Sequence, residues 1–245
     1  MIKKIFILLF LLLIIVYLII AVTTFNAKPE EQTCEGMELV INDSIDYGFI
    51  TEKEILRLLT KEKLSPIGKN MDEINTRLLE DALKKHPLVG EVQCFRIPNG
   101  KVGIEVTQRV PLLRIMAANG ENYYLDDKGV TMPTANNAAN VAIVTGYVDK
   151  AFAQKELYEL GLFLKESPFW NAQIQQINVT TAKELELVPR VGEHIIFIGK
   201  PGNYEKKFDR LKTFYEKGLN QVGWNKYSRI SLEFENQIIC TKNEK

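Results

Sequence analysis

Few side chains in this sequence have a type and spacing that suit chemistry. There are two histidines, His86 and His194. Neither has a second histidine or a cysteine at the spacing a metal or an acid–base pair requires. His86 stands before Pro87 at the end of a helical pattern, and His194 opens the apolar run Ile195-Ile196-Phe197-Ile198, so both read as structural. Asp126-Asp127-Lys128-Gly129 offers an acidic pair of the kind a metal-dependent glycosyl transferase uses. However, it lacks an Asp-x-Asp and a preceding nucleotide-binding βαβ unit, and its four residues are strong turn formers. Gly199-Lys200 lacks the Gly-x-x-x-x-Gly-Lys-Ser/Thr spacing of a phosphate cradle, and no Gly-x-Ser-x-Gly elbow occurs. Cys34, Cys94 and Cys240 are too few for a disulfide framework and too scattered for zinc. Three buried thiols is the favoured reading. If one pair bridges outside the cytoplasm, Cys34–Cys94 is the better candidate. No catalytic, metal or cofactor residue is assigned, and the inventory points to a binding protein rather than an enzyme.

The elements that would carry such a protein begin with a membrane anchor. Ile5–Val22 are eighteen consecutive apolar or aromatic residues without a charge, with Ile5, Leu12, Val16, Ile20 and Val22 spread along them. At about 1.5 Å per residue this run spans roughly 27 Å, just enough for a bilayer core. A cleaved secretory signal would have a shorter apolar region and a small-x-small site, which Ala21-Val22-Thr23 does not supply. Lys3 and Lys4 stand before the span and predict a cytoplasmic stub at 1–4, a transmembrane helix at 5–25 and export of everything after it. The 245 residues carry 31 basic and 31 acidic side chains. Without its first 22 residues the chain keeps 29 and 31, with no basic run. That argues against nucleic acid, which needs clustered cations.

After a linker at 26–35, the pattern predicts a β-α-α-β-β module at 36–108. Cys34–Asp43 alternates as a strand. Thr51 and Glu54 form a capping box, with Ile50 and Ile55 placed as a staple and Ile55, Leu58 and Leu59 on one face. Asn70 caps a second helix, where Ile74, Leu78, Leu79 and Leu83 repeat, Lys84, Lys85 and His86 occupy the last turn, and Pro87 ends it. Val92–Ile97 and Val102–Val106 are strands joined by Pro98-Asn99-Gly100-Lys101. A hinge is expected around Thr107–Pro111. From 109 to 241 short strands are predicted at Leu112–Ala117, Tyr123–Leu125, Ile174–Asn178, Glu184–Val188, His194–Ile198, Ser228–Phe234 and Gln237–Thr241. Two helices interrupt them, at Phe152–Lys165 and Tyr204–Lys217, and a tail at 242–245 closes the chain. The fold class is α+β, the second domain mostly antiparallel.

This arrangement resembles the bacterial FtsQ/DivIB cell-division family. The small module is similar to a POTRA domain in Ile74-x-x-x-Leu78, in His86-Pro87-Leu88-Val89-Gly90-Glu91-Val92 and in Val102-Gly103-Ile104-Glu105-Val106-Thr107-Gln108-Arg109. Gln108-Arg109-Val110-Pro111-Leu112-Leu113-Arg114 resembles the family's Arg-x-Pro junction, with Arg109 and Pro111 as the interdomain pair. Tyr123-Tyr124-Leu125-Asp126-Asp127-Lys128-Gly129 is similar to its Tyr-x-x-Asp-x-x-Gly hairpin, and Trp224–Tyr227 with Ile230–Ile239 to its closing strands. Many relatives carry Asp and Arg where this chain has Ser231 and Glu233. The short stub and Met132-Pro133 look most like versions from Bacteroidetes-type bacteria. The resemblance implies a non-enzymatic, single-pass protein of the bacterial inner membrane with its bulk in the periplasm. It would sit at the division septum and link early and late assembly by binding partners of the FtsB and FtsL type, with no small-molecule substrate. A membrane-anchored glycosyl transferase or hydrolase, or a POTRA-bearing transport component, is the alternative.

The final strand is expected to be the partner-binding edge. A chain-terminal strand has no successor on its far side, and an open edge offers unpaired N–H and C=O groups to a partner strand. Gln237, Ile238, Ile239, Cys240 and Thr241, flanked by Tyr227 and Arg229, form the predicted edge. Ile230, Leu232 and Phe234 are expected to face the core. A proline at Ile239 is expected to remove one outward donor at little cost to folding.

Overall fold

The computed structural model describes residues 2–25, 32–42, 48–134 and 138–243. It opens with helix α1, Ile2–Phe25. Side chains are described in it from Leu9 to Val22, where Leu12, Val16, Ile20 and Val22 are exposed. Among the described residues no helix is long and apolar enough to cross a membrane. The described side chains of α1 cover only about 21 Å at ~1.5 Å per residue, short of a hydrocarbon core of about 30 Å. The predicted span therefore rests on the sequence. The side chains of Lys3, Lys4 and Ile5, linker positions 26–31, Asp43 and tail residues 244–245 lie outside the described residues.

A small sheet follows. Strand β1 (Gly36–Asn42) leads to helix α2 (Glu52–Lys61), a 3-10 turn at Met71–Glu73, and helix α3 (Thr76–Leu83). Strands β2 (Val89–Ile97) and β3 (Lys101–Gln108) complete the predicted β-α-α-β-β order. The sheet order is β1-β3-β2, with β1 parallel and β2 antiparallel to β3. The capping box is present: Thr51 Oγ1 accepts from the Glu54 N–H at 3.3 Å, and Glu54 Oε2 accepts from the Thr51 N–H at 2.9 Å. Ile50 and Ile55 are both buried beneath it, as a staple requires.

The second helix departs from its prediction. Asn70 caps only the 3-10 turn, Ile74 takes an extended conformation, and Asn75 caps α3 by accepting from the Leu78 N–H. Two adjacent cap residues compete, and the later one wins because its helix buries Leu79, Ala82 and Leu83. Leu78 is 52% exposed instead of facing the core. Lys84, Lys85 and His86 fall beyond the last helical residue.

The second sheet has nine strands: β4 (Pro111–Ala117), β5 (Asn122–Asp126), β6 (Thr131–Met132), β7 (Ile143–Gly146), β8 (Ile174–Val179), β9 (Leu185–Pro189), β10 (Ile195–Gly199), β11 (Tyr227–Ser231) and β12 (Ile239–Lys242). Their order is β12-β11-β10-β9-β8-β7-β4-β5-β6. Three neighbouring pairs are parallel, β4 with β7, β7 with β8 and β10 with β11, so the mostly antiparallel expectation holds only by majority. Strands β6 and β7 were not predicted. Four residues of β7 give no readable alternation, and they are a strand only because β4 and β8 hold them on both sides.

The first predicted helix comprises α4 (Lys150–Phe152), a π turn at Ala153–Leu157 and α5 (Tyr158–Glu166). The second comprises α7 (Tyr204–Phe214), a π turn at Tyr215–Leu219 and α8 (Asn220–Val222). An unpredicted helix, α6 (Pro168–Gln173), lies between, started by a proline that cannot donate and is tolerated there. Leu157, Leu160, Leu164, Trp170, Phe208, Leu211 and Tyr215 pack with inward residues of the sheet into one core. A second core lies in the small sheet and takes in Tyr124 and Met132 from the large one.

Candidate functional site

Both ends of the large sheet are edges, but they are finished differently. Strand β6 has two residues, and its Met132 is buried in the core shared with the small sheet. Among the described residues strand β12 pairs only with β11, and Ile239, Thr241 and Lys242 are exposed along it. The small sheet's own edges carry protection. On β2 the Cys94 N–H is taken by Glu80 Oε1 of α3 at 2.9 Å, and on β1 a charge, Glu38, sits mid-strand. From Ile239 to Thr241, β12 has no charge, proline or bulge.

The backbone of β12 has a definite outward set. The Asn243 N–H donates to the Lys226 carbonyl, and the Ser228 hydroxyl reaches the Thr241 carbonyl at 3.4 Å. On the far side of β11 the Leu232 N–H donates to Phe197 of β10, which leaves Ser231 and Arg229 facing β12. Alternation then turns the backbone of Ile239, Thr241 and Asn243 toward β11 and that of Cys240 and Lys242 outward. The register of β11 shifts between Tyr227 and Arg229, so the bulge falls on β11 and leaves β12 regular.

The predicted edge residues gather here, though not all in the strand. Tyr227 pairs with Lys242, Arg229 with Thr241 and Ser231 with Ile239. Arg229 stacks at 4.1 Å from the centre of the Phe197 ring and bonds Glu186 at 2.8 Å, so its guanidinium is engaged with the sheet face. Gln237 and Ile238 precede β12 in the connection from β11. Leu232 is buried as expected, but it lies past the end of β11, and Phe234 is 48% exposed. Sequence reasoning missed Arg210. From α7 it donates to the carbonyls of Leu232, Phe234 and Gln237, binding the 232–237 connection to the helix. Its only sequence signal was a lone arginine on the face between Phe208 and Phe214. A groove of about 570 Å³ runs beside it between α7 and residues 236–238.

The second cluster is the junction. Arg109 bonds Asp126 Oδ2 through Nε at 2.8 Å and Nη2 at 2.7 Å. It also donates to the carbonyls of Pro87, at 2.9 Å, Val130, at 2.9 Å, and Thr131, at 3.2 Å. One guanidinium therefore ties the α3–β2 connection to the β5–β6 hairpin. Asp126 Oδ1 accepts from the Lys128 and Val130 N–H groups, the turn its sequence predicted. Asp127 faces elsewhere and bonds Lys165 at 3.0 Å. The two carboxylates thus serve different cations. Pro111 is buried at the start of β4, opposite Asp126. Gln108, also missed from sequence, is buried and accepts from the N–H groups of Phe49 and Ile50 through one amide oxygen.

His194 is buried, with Nε2 2.8 Å from the Tyr215 hydroxyl. Burial pushes its pKa below the ordinary imidazole value, the Trp224 backbone opposing that slightly. His86 shifts the same way by burial. All three cysteines are free thiols, and Cys34 and Cys94 share one core without a bridge. Burial, then the nearby Glu80 charge, pushes the Cys94 thiol up to about 12.

Two family models match the chain. Residues 32–107 match a POTRA-like domain, and residues 110–241 match "FtsQ/DivIB, C-terminal related". The chain belongs to the FtsQ/DivIB family. A cell division protein FtsQ of Myxococcus fulvus is 29% identical over 170 residues, 64% of this chain and 57% of that protein. One of Rhodothermus marinus is 26% identical over 185 residues, 70% of this chain and 67% of the relative. The chain thus spans little more than half the length of the Myxococcus protein. The two family matches leave only Gln108 and Arg109 between them, the first holding the β1–α2 connection and the second the β5–β6 hairpin. The FtsQ/DivIB match runs through Thr241, inside β12.

Proposed function

We propose that this chain is a non-enzymatic cell-division scaffold. In this reading residues 5–25 cross the inner membrane, with 1–4 in the cytoplasm and the domains at 36–108 and 109–241 in the periplasm. The scaffold holds other division proteins, of the FtsB and FtsL type, at the septum. The observation that carries it is β12: an open edge on a family member, uncharged from Ile239 to Thr241 and backed by a helix that clamps the preceding connection. A partner strand laid along β12 would pair with the backbone of Cys240 and Lys242, and the alternate side chains would supply selectivity. The enzyme alternative gains no support from Asp126 and Asp127, which are bound to Arg109 and Lys165.

Fluorescent fusion of the full chain in a depletion strain tests the role. Septal localisation and failed division on depletion are expected. An even envelope distribution with normal septation would overturn it. Lys242→Pro tests the edge: it removes an outward donor at an exposed position. Partner capture by the full chain should fall at least about tenfold, the weight of one to two backbone hydrogen bonds, while the melting midpoint stays in place. Unchanged capture by a folded variant would sink the edge.

A further inference from the structure

A second concave site lies away from β12, where the ends of β4, β7 and β8 meet α6. It is a cleft of about 500 Å³, within the range of about 300–1,000 Å³ typical of small-ligand sites. Two arginines line it, Arg114 from β4 and Arg190 just after β9, and among the described residues no acidic side chain does. Neither arginine forms an ion pair among the described residues. Arg114 has one long hydrogen bond, from Nε to Asn122 Oδ1 at 3.4 Å, and rests 5.7 Å from the centre of the Tyr124 ring. The Arg190 guanidinium has no hydrogen bond among the described residues; only its backbone N–H is engaged, at 2.7 Å to Gln173.

Two other arginines that lie against the sheets are treated differently. Arg109 and Arg229 are each paired with a carboxylate, Asp126 and Glu186. Two unneutralised guanidiniums in one concavity repel each other and favour an anion between them. A carboxylate accepts from such forks in the plane they present. The cleft's other polar groups are three primary amides, Asn140, Asn171 and Gln175. Each can donate and accept, which suits the N–H and C=O of a peptide group. Alanines, Ala172 among them, make up much of the remaining wall and leave space for the peptide's own side chains.

We infer that this cleft binds the free C-terminal carboxylate of a short peptide, through Arg114 and Arg190. The site also touches the junction between the sheets. The Tyr124 ring under Arg114 packs 5.8 Å from Phe49 of the small sheet, and its hydroxyl accepts from the Ala139 N–H at the cleft wall. A bound carboxylate would thus order a cation already stacked on the shared core. The inference does not depend on the division role.

Calorimetric titration of the full chain in detergent tests it, using N-acetyl-Ala-Ala as the free acid, its C-terminal amide, and inorganic phosphate. The acid should bind saturably. The amide should bind at least about tenfold more weakly, as should the acid to Arg114→Gln or Arg190→Gln, since each loses a charge-assisted pair. Arg190 is exposed, so Arg190→Gln should fold even if Arg114→Gln does not. Absence of acid binding, or equal binding of acid and amide, overturns the site. Phosphate binding as tight as the acid overturns the peptide assignment.

Discussion

At the scale of single residues, Arg109 joins the most groups. Asp126 is 2% exposed and Arg109 14%, so removing the guanidinium strands a carboxylate out of water and frees three carbonyls. Arg109→Ala should cost about 3–5 kcal/mol in chemical denaturation, the usual consequence of breaking a buried pair from one side. Arg109→Lys should recover only part of this, because one ammonium cannot reach the same fan of acceptors. A loss under about 1 kcal/mol, the weight of a surface pair, would show the clasp to be superficial. His194 gives a prediction in pH. Its folded pKa is depressed, so the unfolded chain takes up the proton first. Stability is complete above the ordinary histidine value of 6.5 and is lost as pH falls through it. His86 adds in the same direction. The melting midpoint should drop between pH 8 and 5.5, and His194→Gln should flatten that drop even if it lowers the midpoint overall. A slope unchanged in the variant would assign the effect elsewhere.

At the scale of elements, the two glycines Gly146 and Gly120 separate backbone strain from crowding. Both have positive φ, +91° and +87°. A Cβ at Gly120 meets nothing within 4 Å, whereas one at Gly146 would lie 2.2 Å from the Val179 carbonyl oxygen, where β7 meets β8. Gly120→Ala should cost roughly 1 kcal/mol from the left-handed conformation. Gly146→Ala should cost more by about 1–3 kcal/mol, because the strand pair must part. Equal losses would mean that β7 yields freely. Strand β12 supplies the other element-scale prediction, and it reverses an expectation. Since the Ile239 N–H faces β11, Ile239→Pro should remove a ladder bond and destabilise the end of the sheet. Lys242→Pro should leave stability nearly unchanged, as proline is tolerated where the missing N–H faced solvent. Urea midpoints of the two variants distinguish these outcomes.

For the whole molecule, the shared core and the Arg109 clasp make the two sheets mechanically one. Phe49 and the strands of the small sheet pack with Tyr124 and Met132 of the large one. A partner held at β12 would therefore stand at a fixed separation from the small sheet. Orientation across the membrane is the matching prediction. With Lys3 and Lys4 holding the N-terminus inside, a reporter fused after Lys245 should be active only in the exported compartment. Cytoplasmic activity would overturn both the orientation and the scaffold.

Features whose cause lies within a few residues were legible in the sequence. The Thr51–Glu54 box, the Pro98-Asn99-Gly100 hairpin, the Asp126 turn and the apolar faces of α5 and α7 all follow from local hydrogen bonding and periodicity. The β-α-α-β-β order is of the same kind. The tertiary structure decided what depends on distant pairings. It placed β7 between β4 and β8, split the second helix by burying Leu83 rather than Leu78, and brought Arg109 to Asp126, Pro87 and Val130. It also set which amides of β12 face outward, because a bulge at Ser228 on the neighbouring strand fixes the register. Alternation along a strand shows which residues share a face. Only the strand beside it determines which backbone groups are left over.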